Sequence, residues 1–187
     1  MELERKVRSV NRVYRQLAIH TSTFKKTSGL ACVSGCSACC MKPDIEATVL
    51  EFLPAAYELY MTDSYEPLLE RLNSLEDTAC IFYNPMNAGG ACTNYQNRGM
   101  VCRLFGFSSK LDKYERRTLV ACKMIKQQTN PETIDLKLEK APDMNGYYLK
   151  LFGIDPKLAT QYFPINQAIK IALETVLLHF QFRKRPA

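Results

Sequence analysis

The sequence contains almost no histidine and no tryptophan. With only His20 and His179 among 187 residues, any metal site in this chain must be built essentially from sulfur. The chain also lacks a P-loop, a glycine-rich dinucleotide motif and a recognisable nucleophile–base pairing. These absences argue against a nucleotide-binding protein and against an ordinary hydrolase or transferase.

Long apolar runs are missing as well. No stretch approaches the roughly 18 apolar residues that a membrane span requires, and the charged amino terminus is unlike a secretory signal peptide. We therefore expect a cytoplasmic protein with no membrane contact, in a compartment that keeps thiols reduced. The apolar fraction of 47% and the charged fraction of 24% are ordinary for a globular chain, and the length suits one domain.

The net charge of +6 is unevenly distributed. Residues 1–27 hold seven basic and two acidic side chains, residues 41–80 hold two basic and nine acidic, and residues 81–130 hold eight basic and two acidic. The acidic block in the middle would repel phosphate, and no nucleic-acid-binding motif accompanies the basic segments. The pattern therefore favours solvated helical faces and disfavours nucleic acid as a partner.

Cysteine is the residue type that carries the chemistry. The chain has eight cysteines, and 65 residues without a thiol follow the last of them. A disulfide scaffold has no reason to leave a third of the chain bare, and the expected compartment is reducing. We therefore predict that all eight are metal ligands: Cys32, Cys36, Cys39, Cys40, Cys80, Cys92, Cys102 and Cys122.

Four of the thiols fall within nine residues, from Cys32 to Cys40. Such a run suits a loop wrapped around a metal, and the Cys-x3-Cys-x2-Cys spacing favours three corners of an iron–sulfur cubane over the paired Cys-x2-Cys motifs of zinc ribbons. Consecutive thiols such as Cys39 and Cys40 need unusual backbone geometry to bind one metal. Two zinc sites of four thiolates each would also use all eight cysteines, so zinc stays the alternative cofactor to [4Fe–4S].

Apolar spacing predicts long helices near both ends of the sequence. Residues 2–25 repeat apolar positions every three or four residues, which predicts an amphipathic helix that ends near Thr27-Ser28-Gly29. A second stripe predicts a helix over about 159–183. The predicted core positions are Leu3, Val7, Val10, Tyr14, Leu17 and Phe24 in the first helix and Ile165, Ile169, Leu173, Val176 and Phe180 in the second.

The middle of the chain has a less regular pattern. Prolines punctuate it, and short apolar runs there are bounded by turn residues. The predicted elements are a helix from Pro43, a new helix from Pro54 to about 61, a helix from 65 or 67 to 75, strands or irregular segments at 80–83, 91–95 and 100–105, turns at 84–85 and 87–90, and a helix within 110–128 that holds Cys122.

Together these elements predict a single, mainly α domain with a small irregular β element around a cysteine-rich metal site. We divide it into an N-terminal amphipathic helix (1–27), a cysteine-cluster metal-binding core (28–125) and a C-terminal helical region (126–187). The heptad-like seam of the first helix leaves a homodimer contact open as an alternative to packing within the chain.

The cysteine layout resembles the YkgJ family of cysteine-cluster proteins, described as zinc- or iron-chelating domains. That family has a cysteine-rich opening ending in Cys-Cys, a lone cysteine, the motif Cys-x-Tyr-Glu-x-Arg-Pro-x2-Cys-Arg-x-Phe-Pro, and a final cysteine. The matching positions here are Cys32 to Cys40, Cys80, then Cys92, Tyr95, Arg98, Cys102, Arg103 and Phe105, and finally Cys122. The resemblance covers residues 32–122 and implies that the cysteines chelate zinc or iron.

The sequence departs from the family motif at a few positions. It has one extra residue before Tyr95, Gln96 stands in place of glutamate, and Gly99 and Gly106 stand in place of proline. All the cysteines are in place. Flagellin lysine methylases resemble this type of domain and carry an iron–sulfur cluster, which implies an enzyme that modifies a protein substrate as one alternative function.

Three further residues are predicted to lie beside the metal without binding it. A thiolate-bound cluster is anionic, and the guanidinium groups of Arg98 and Arg103 would offset that charge and donate hydrogen bonds to sulfur. Both arginines could instead be solvated or pair with the acidic helices. Tyr95 is expected to pack beside the site rather than to act as a catalyst.

The sequence therefore predicts a metal-binding protein, with [4Fe–4S] first and zinc second, and leaves two functional classes open. In the first, zinc stabilises an interaction module whose helices at 1–25 and 159–183 bind a protein partner. In the second, the chain is an iron–sulfur enzyme or redox protein acting on a protein or a small molecule. An accessible pocket beside the cysteines would favour the second class, and a closed, buried site would favour the first.

Overall fold

A computed structural model describes residues 2–32, 36, 38–74, 79–84, 86, 92–127, 135 and 137–181. Over these residues the chain is mainly helical with two antiparallel sheets of two strands each, which confirms the predicted fold class. None of the helices in these ranges is long and apolar enough to cross a membrane. The turn predicted at 87–90 and the last residues of the predicted C-terminal helix, 182–183, lie outside the described residues.

Helix α1 spans Leu3–Ser28 and confirms the predicted N-terminal helix. Its predicted seam is buried, because those positions fall on one face of a helix with about 3.6 residues per turn. The helix ends where Gly29 takes a φ of 75°, a left-handed cap in which its N–H donates to the carbonyl of Lys25 at 3.0 Å. The chain then enters the cysteine loop.

The segment after the cysteine loop continues as a strand. Strand β1, Glu46–Thr48, stands where the sequence predicted a helix from Pro43, so that prediction is wrong. β1 pairs antiparallel with Tyr162–Pro164, the last strand of the chain. Three residues are too few to show a strand period, and a partner so far away in sequence leaves no local signal.

Helix α2 runs from Val49 to Met61 without the break predicted at Pro54. A proline inside a helix removes one hydrogen bond and costs about 3 kcal/mol, but Pro54 is buried. Burial of the ring offsets part of that cost, and the helix continues through it. Thr48 and Glu51 start the helix with a capping box, which satisfies two otherwise free N–H groups.

The next elements are short. Helix α3, Glu66–Ser74, confirms the third predicted helix. Residues 80–83 form turns with one isolated bridge from Tyr83, which is the irregular alternative of the prediction and not a strand. Met100–Leu104 forms helix α4 instead of a strand or an irregular segment. Five residues carry too little periodicity to tell a helix from a strand.

The basic segment at 110–128 begins in a hairpin, so the helix predicted within it is confined to its last residues and starts just after Cys122. Strands β2, Ser108–Leu111, and β3, Arg117–Val120, pair antiparallel. The loop closes without glycine, because one carboxylate oxygen of Asp112 accepts two N–H groups of the loop at 2.8 and 3.0 Å. Cys122 lies between β3 and the short helix α5, Lys123–Gln127.

The C-terminal part is mainly helical, as predicted, but a strand interrupts the helix predicted over about 159–183, because Tyr162–Pro164 pairs with β1. It contains a 3₁₀ turn at Leu138–Lys140, helix α6 at Met144–Phe152, helix α7 at Pro156–Thr160, strand β4 at Tyr162–Pro164 and helix α8 at Ile165–Gln181. The predicted stripe of α8 is buried, and the helix packs chiefly against α2. The predicted apolar seams of α1 and α8 are therefore covered within this chain.

The buried side chains form two separate cores. The larger core joins most of α1 with α2, α4 and α8. The smaller core lies beside the hairpin and consists of Phe24, Leu30, Phe107, Ile125, Leu138 and Ala141. Leu30 belongs to the smaller core and Ala47 to the larger one. The segment between these two residues carries the four clustered cysteines, so it connects the two cores.

Candidate metal centre

All eight cysteines are free thiols, of which Cys32 and Cys39 are exposed and the other six are partly buried. The isolated cysteines divide between the two cores. Cys80, Cys92 and Cys102 pack against the larger core, whereas Cys122 packs against the smaller one. Cys80 follows α3, Cys92 forms an isolated β-bridge, Cys102 lies in helix α4, and Cys122 lies between β3 and α5.

Cys40, Cys80, Cys92 and Cys102 are neighbours. The N–H of Cys80 donates to the carbonyl of Cys40 at 2.8 Å. Tyr83 donates its N–H to the carbonyl of Cys80 at 2.8 Å and forms a β-bridge with Cys92. The Cys40 thiol lies within electrostatic reach of Cys80 and Cys92, and the Cys102 thiol lies within reach of Cys80. Three distant segments therefore meet at the end of the cysteine loop.

Cys32 has a different set of neighbours. Its thiol lies within electrostatic reach of Cys36, Cys122 and Cys39. Cys39 lies between the two sets, because its side chain forms a hydrogen bond with Cys40 and it also lies within reach of Cys80 and Cys102. Every predicted ligand thus lies within electrostatic reach of at least one other.

Burial keeps several of these thiols protonated. Burial raises the pKa of Cys80 to about 11. It also raises the pKa of Cys102, and repulsion by the negative charges of Cys80 and Glu51 raises that pKa further. The hydrogen bond between Cys39 and Cys40 lowers the pKa of Cys39 and raises that of Cys40, because the Cys39 thiolate accepts it. A metal would replace these protons, so we expect metal binding to release them.

Among the described residues, no three side chains of cysteine, histidine, aspartate or glutamate converge closely enough to hold a metal ion together. The chemistry of the donor set nevertheless fits a thiophilic metal, since all eight predicted ligands are soft thiols. The ring nitrogens of His20 lie 3.2 Å from the Tyr147 hydroxyl and the Lys140 carbonyl. His179 lies 3.6 Å from a carboxylate oxygen of Glu4. These histidine contacts therefore involve no cysteine.

Arg98 extends into the group of thiols. Its guanidinium lies 3.6 Å from the centroid of the exposed Tyr95 ring and within electrostatic reach of Cys39 and Cys102. Its Nε atom is buried and has no hydrogen-bond partner among the described residues. A buried donor left unpaired costs about 1–3 kcal/mol. This orphaned donor fits a sulfur acceptor at the site, and Tyr95 serves as the surface against which the guanidinium stacks.

Arg103 braces the turn that carries Arg98. Its Nε donates to the carbonyl of Arg98 at 2.7 Å, and its Nη2 donates to the carbonyl of Gln96. Its guanidinium also lies 4.4 Å from the centroid of the Tyr14 ring. The contact with Gln96 uses the backbone, so this brace does not depend on the side chain that replaces the glutamate of the family motif.

Glu51, which the sequence did not indicate as part of the site, is fully buried. One carboxylate oxygen accepts the N–H of Thr48 at 2.8 Å, and the other accepts the N–H of Val101 at 2.7 Å. Burial raises the pKa of Glu51 in spite of these hydrogen bonds. Glu51 therefore ties the start of α2 to the first turn of α4, which carries Cys102. The spacing Thr48-x2-Glu51 is a capping-box signal that could have identified its first role.

Asn166 is a second residue that the sequence did not indicate as part of the site. Its Oδ1 accepts the N–H of Ile81 at 2.8 Å, and its Nδ2 donates to the carbonyl of Ala79 at 2.7 Å. These two contacts hold the backbone on either side of Cys80. No sequence signal marks an asparagine near a helix start as a support for a residue 86 positions away.

An open surface groove of about 440 Å³ lies on the helical part of the molecule. It is lined by Tyr60, Tyr65, Glu174, Leu177, Leu178, Phe180 and Gln181. None of these residues is a cysteine, so this groove is not the pocket beside the thiols that would favour an enzyme.

A mainly helical chain whose eight thiols are gathered from distant segments defines a cysteine-cluster protein. The sequence model of the CxxCxxCC family, described as a "putative zinc- or iron-chelating domain", matches residues 31–132, which is 102 of the 187 residues. The chain belongs to this family, as the resemblance in its cysteine pattern predicted. No curated protein and no solved structure matches the chain.

Proposed function

We propose that this chain is an iron–sulfur protein whose cysteine thiolates hold a [4Fe–4S] cluster. The observation that carries the proposal is the buried Nε of Arg98, which has no hydrogen-bond partner in the described part of the chain and lies on a guanidinium within electrostatic reach of Cys39 and Cys102. A thiolate-bound cluster is anionic, and its sulfurs accept hydrogen bonds from nearby donors. A cluster at these thiols would therefore satisfy both the charge of Arg98 and its free N–H.

The spacing of the ligands supports iron–sulfur over zinc. Cys32-x3-Cys36-x2-Cys39 provides three thiols from one loop, and the isolated cysteines can supply further ligands. Zinc is the second candidate, because thiolates also form closed tetrahedral zinc sites. Membership of a zinc- or iron-chelating family is consistent with both metals.

Metal analysis of protein purified without oxygen tests the proposal. We expect a brown protein with a broad visible absorption, and iron and acid-labile sulfide in equal amounts. A colourless protein that contains zinc and no sulfide would overturn the iron–sulfur assignment and leave thiolate chelation in place.

Cys36→Ser and Cys39→Ser test the ligands themselves. Both variants should lose metal and stability, because metal binding is coupled to folding. Ala38→Ser is the matched control, since it places a hydroxyl in the same loop and removes no thiol. Unchanged metal content in both cysteine variants would contradict their assignment as ligands.

A further inference from the structure

The four clustered cysteines lie on a segment that passes from one core to the other. Leu30, two residues before Cys32, is 5% exposed in the smaller core, and Ala47 is fully buried in the larger one. The cluster therefore begins beside the smaller core, and Cys40 lies nearer in sequence to the larger one.

The isolated cysteines divide in the same way. Cys80, Cys92 and Cys102 contact the larger core, while Cys122 contacts the smaller core, in which Ile125 of helix α5 is buried. These are packing contacts of the side chains and do not depend on their charge.

The neighbours of the first and the last clustered thiols, Cys32 and Cys40, follow this division. Cys40 is hydrogen-bonded through its carbonyl to Cys80 and lies within electrostatic reach of Cys80 and Cys92. Cys32 lies within reach of Cys36 and Cys122. The two ends of the loop thus join different isolated cysteines.

Cys39 has neighbours in both groups, and its side chain shares a hydrogen bond with that of Cys40. Two consecutive residues bind one metal only with unusual backbone geometry, so we assign the two thiols to different metals. Since Cys40 lies with the larger-core cysteines, Cys39 is left for the other group. Its spacing from Cys36, Cys-x2-Cys, is the one that places two sulfurs at adjacent corners of a metal site.

We propose that the eight thiols form two metal centres rather than one. Cys40, Cys80, Cys92 and Cys102 form the inner centre, and Cys32, Cys36, Cys39 and Cys122 form the outer centre. Four thiolates complete the coordination of one zinc ion or occupy the corners of one cubane. This proposal rests on the thiolate metal binding proposed above and adds how the ligands are divided.

The two centres differ in their access to solvent. Two ligands of the outer centre, Cys32 and Cys39, are exposed, whereas all four ligands of the inner centre are partly buried. A chelator should therefore remove the outer metal first, in a separate and faster phase than the inner one.

The test counts metal centres per chain in the wild type, in Cys122→Ser and in Cys102→Ser, all purified without oxygen. About four iron with four sulfide, or one zinc, counts as one centre. We expect two centres in the wild type. Cys122→Ser should lose only the fast chelator phase and Cys102→Ser only the slow one. Ala121→Ser, next to Cys122 and also partly buried, is the matched control and should keep both centres.

The outcomes separate this proposal from the one on which it rests. One centre in the wild type, or loss of all metal in both folded cysteine variants, would overturn the division and leave thiolate chelation standing. A wild type without bound metal would overturn the proposed function itself. If a cysteine variant does not fold, the number of metal centres per wild-type chain and the number of chelator phases of the wild type decide between one centre and two.

Discussion

The side chain of Asn166 holds Cys80 from both sides, since its Oδ1 accepts the N–H of Ile81 at 2.8 Å and its Nδ2 donates to the carbonyl of Ala79 at 2.7 Å. Asn166 lies in the first turn of α8, a helix whose buried stripe packs against α2. The position of one predicted ligand is therefore set by a helix that contributes no cysteine.

Replacing Asn166 with alanine tests this support. Asn166→Ala leaves the N–H of Ile81 and the carbonyl of Ala79 without this partner, which should cost about 1–3 kcal/mol in the free energy of unfolding. The variant should also release metal to a chelator faster than the wild type. Gln167→Ala, at the exposed neighbouring position, should change neither quantity. Equal metal release in the two variants would show that Asn166 supports the fold but not the site.

Glu51→Gln tests the connection between α2 and α4. Glutamine can still accept the N–H of Thr48, but its amide group would face the N–H of Val101 as a second donor, so that hydrogen bond is lost. We expect a loss of about 1–3 kcal/mol in the free energy of unfolding and faster metal release through displacement of Cys102. Urea denaturation measures the free energy of unfolding, and chelator kinetics measure the rate of metal release. The exposed Glu70→Gln on α3 is the control, and a Glu51→Gln variant indistinguishable from it would rule out this role.

Arg98→Ala tests the orphaned donor. The variant should keep its metal, because Arg98 is not a ligand. If the metal is an iron–sulfur cluster, loss of this cation disfavours the reduced cluster, which is more negative than the oxidised one. The reduction potential should therefore fall by about 60 mV, which corresponds to about 1.4 kcal/mol for one electron.

Two further variants separate the contributions of Arg98. Arg98→Lys keeps the charge but removes the planar Nε donor. A reduction potential that lies between those of the wild type and Arg98→Ala would therefore assign part of the effect to the hydrogen bond. Arg15→Ala removes an exposed charge on α1 and should leave the potential unchanged. Identical potentials in Arg98→Ala and the wild type would place Arg98 outside the influence of the metal.

Asp155 links α7 to α1 and gives a prediction about pH. Its Oδ2 lies 2.6 Å from the Lys6 ammonium, and its Oδ1 caps α7 by accepting the N–H of Leu158 at 3.0 Å. Burial opposes the charged form, but the hydrogen bonds and the charge of Lys6 outweigh it and lower the pKa of Asp155. A carboxyl whose pKa is lower in the folded state stabilises the fold above its unfolded pKa of about 3.9. That contribution is lost as the pH falls through the lower folded pKa.

Asp155→Asn separates the charge from the cap, because asparagine caps helices as well as aspartate does. The variant should be less stable than the wild type by about 1 kcal/mol at neutral pH. The difference should disappear in acid, where the wild-type carboxyl is protonated. In a Lys6→Met background the substitution should have little effect at neutral pH. A difference that persists there would assign the loss to something other than the ion pair.

The two long helices were predictable because their periodicity is local and is repeated over many turns. Val10 in α1 and Leu173 in α8 are both fully buried, as their spacing predicted. The short elements were not predictable in the same way. β1 depends on a partner at Tyr162–Pro164, and the hairpin turn depends on one Asp112 carboxylate in place of glycine.

The candidate site shows the same division. Its thiols and Arg98 could be named from the sequence, because residue type and spacing carry the chemistry of soft ligands and their counter-charges. Glu51 and Asn166 could not be assigned to the site, because each acts through hydrogen bonds to backbone that lies far away in the chain. Hydrogen bonds of that kind leave no periodic pattern.

The sequence by itself determined which side chains are the candidate metal ligands and where the two long helices lie, since residue identity and helical period are local properties. Only the tertiary structure decided that the backbone of Cys40 is hydrogen-bonded to Cys80, and that Cys122 lies within electrostatic reach of Cys32. The physical reason is core packing: burial of apolar faces in two cores brings together segments that are far apart in the chain, and the thiols between them follow.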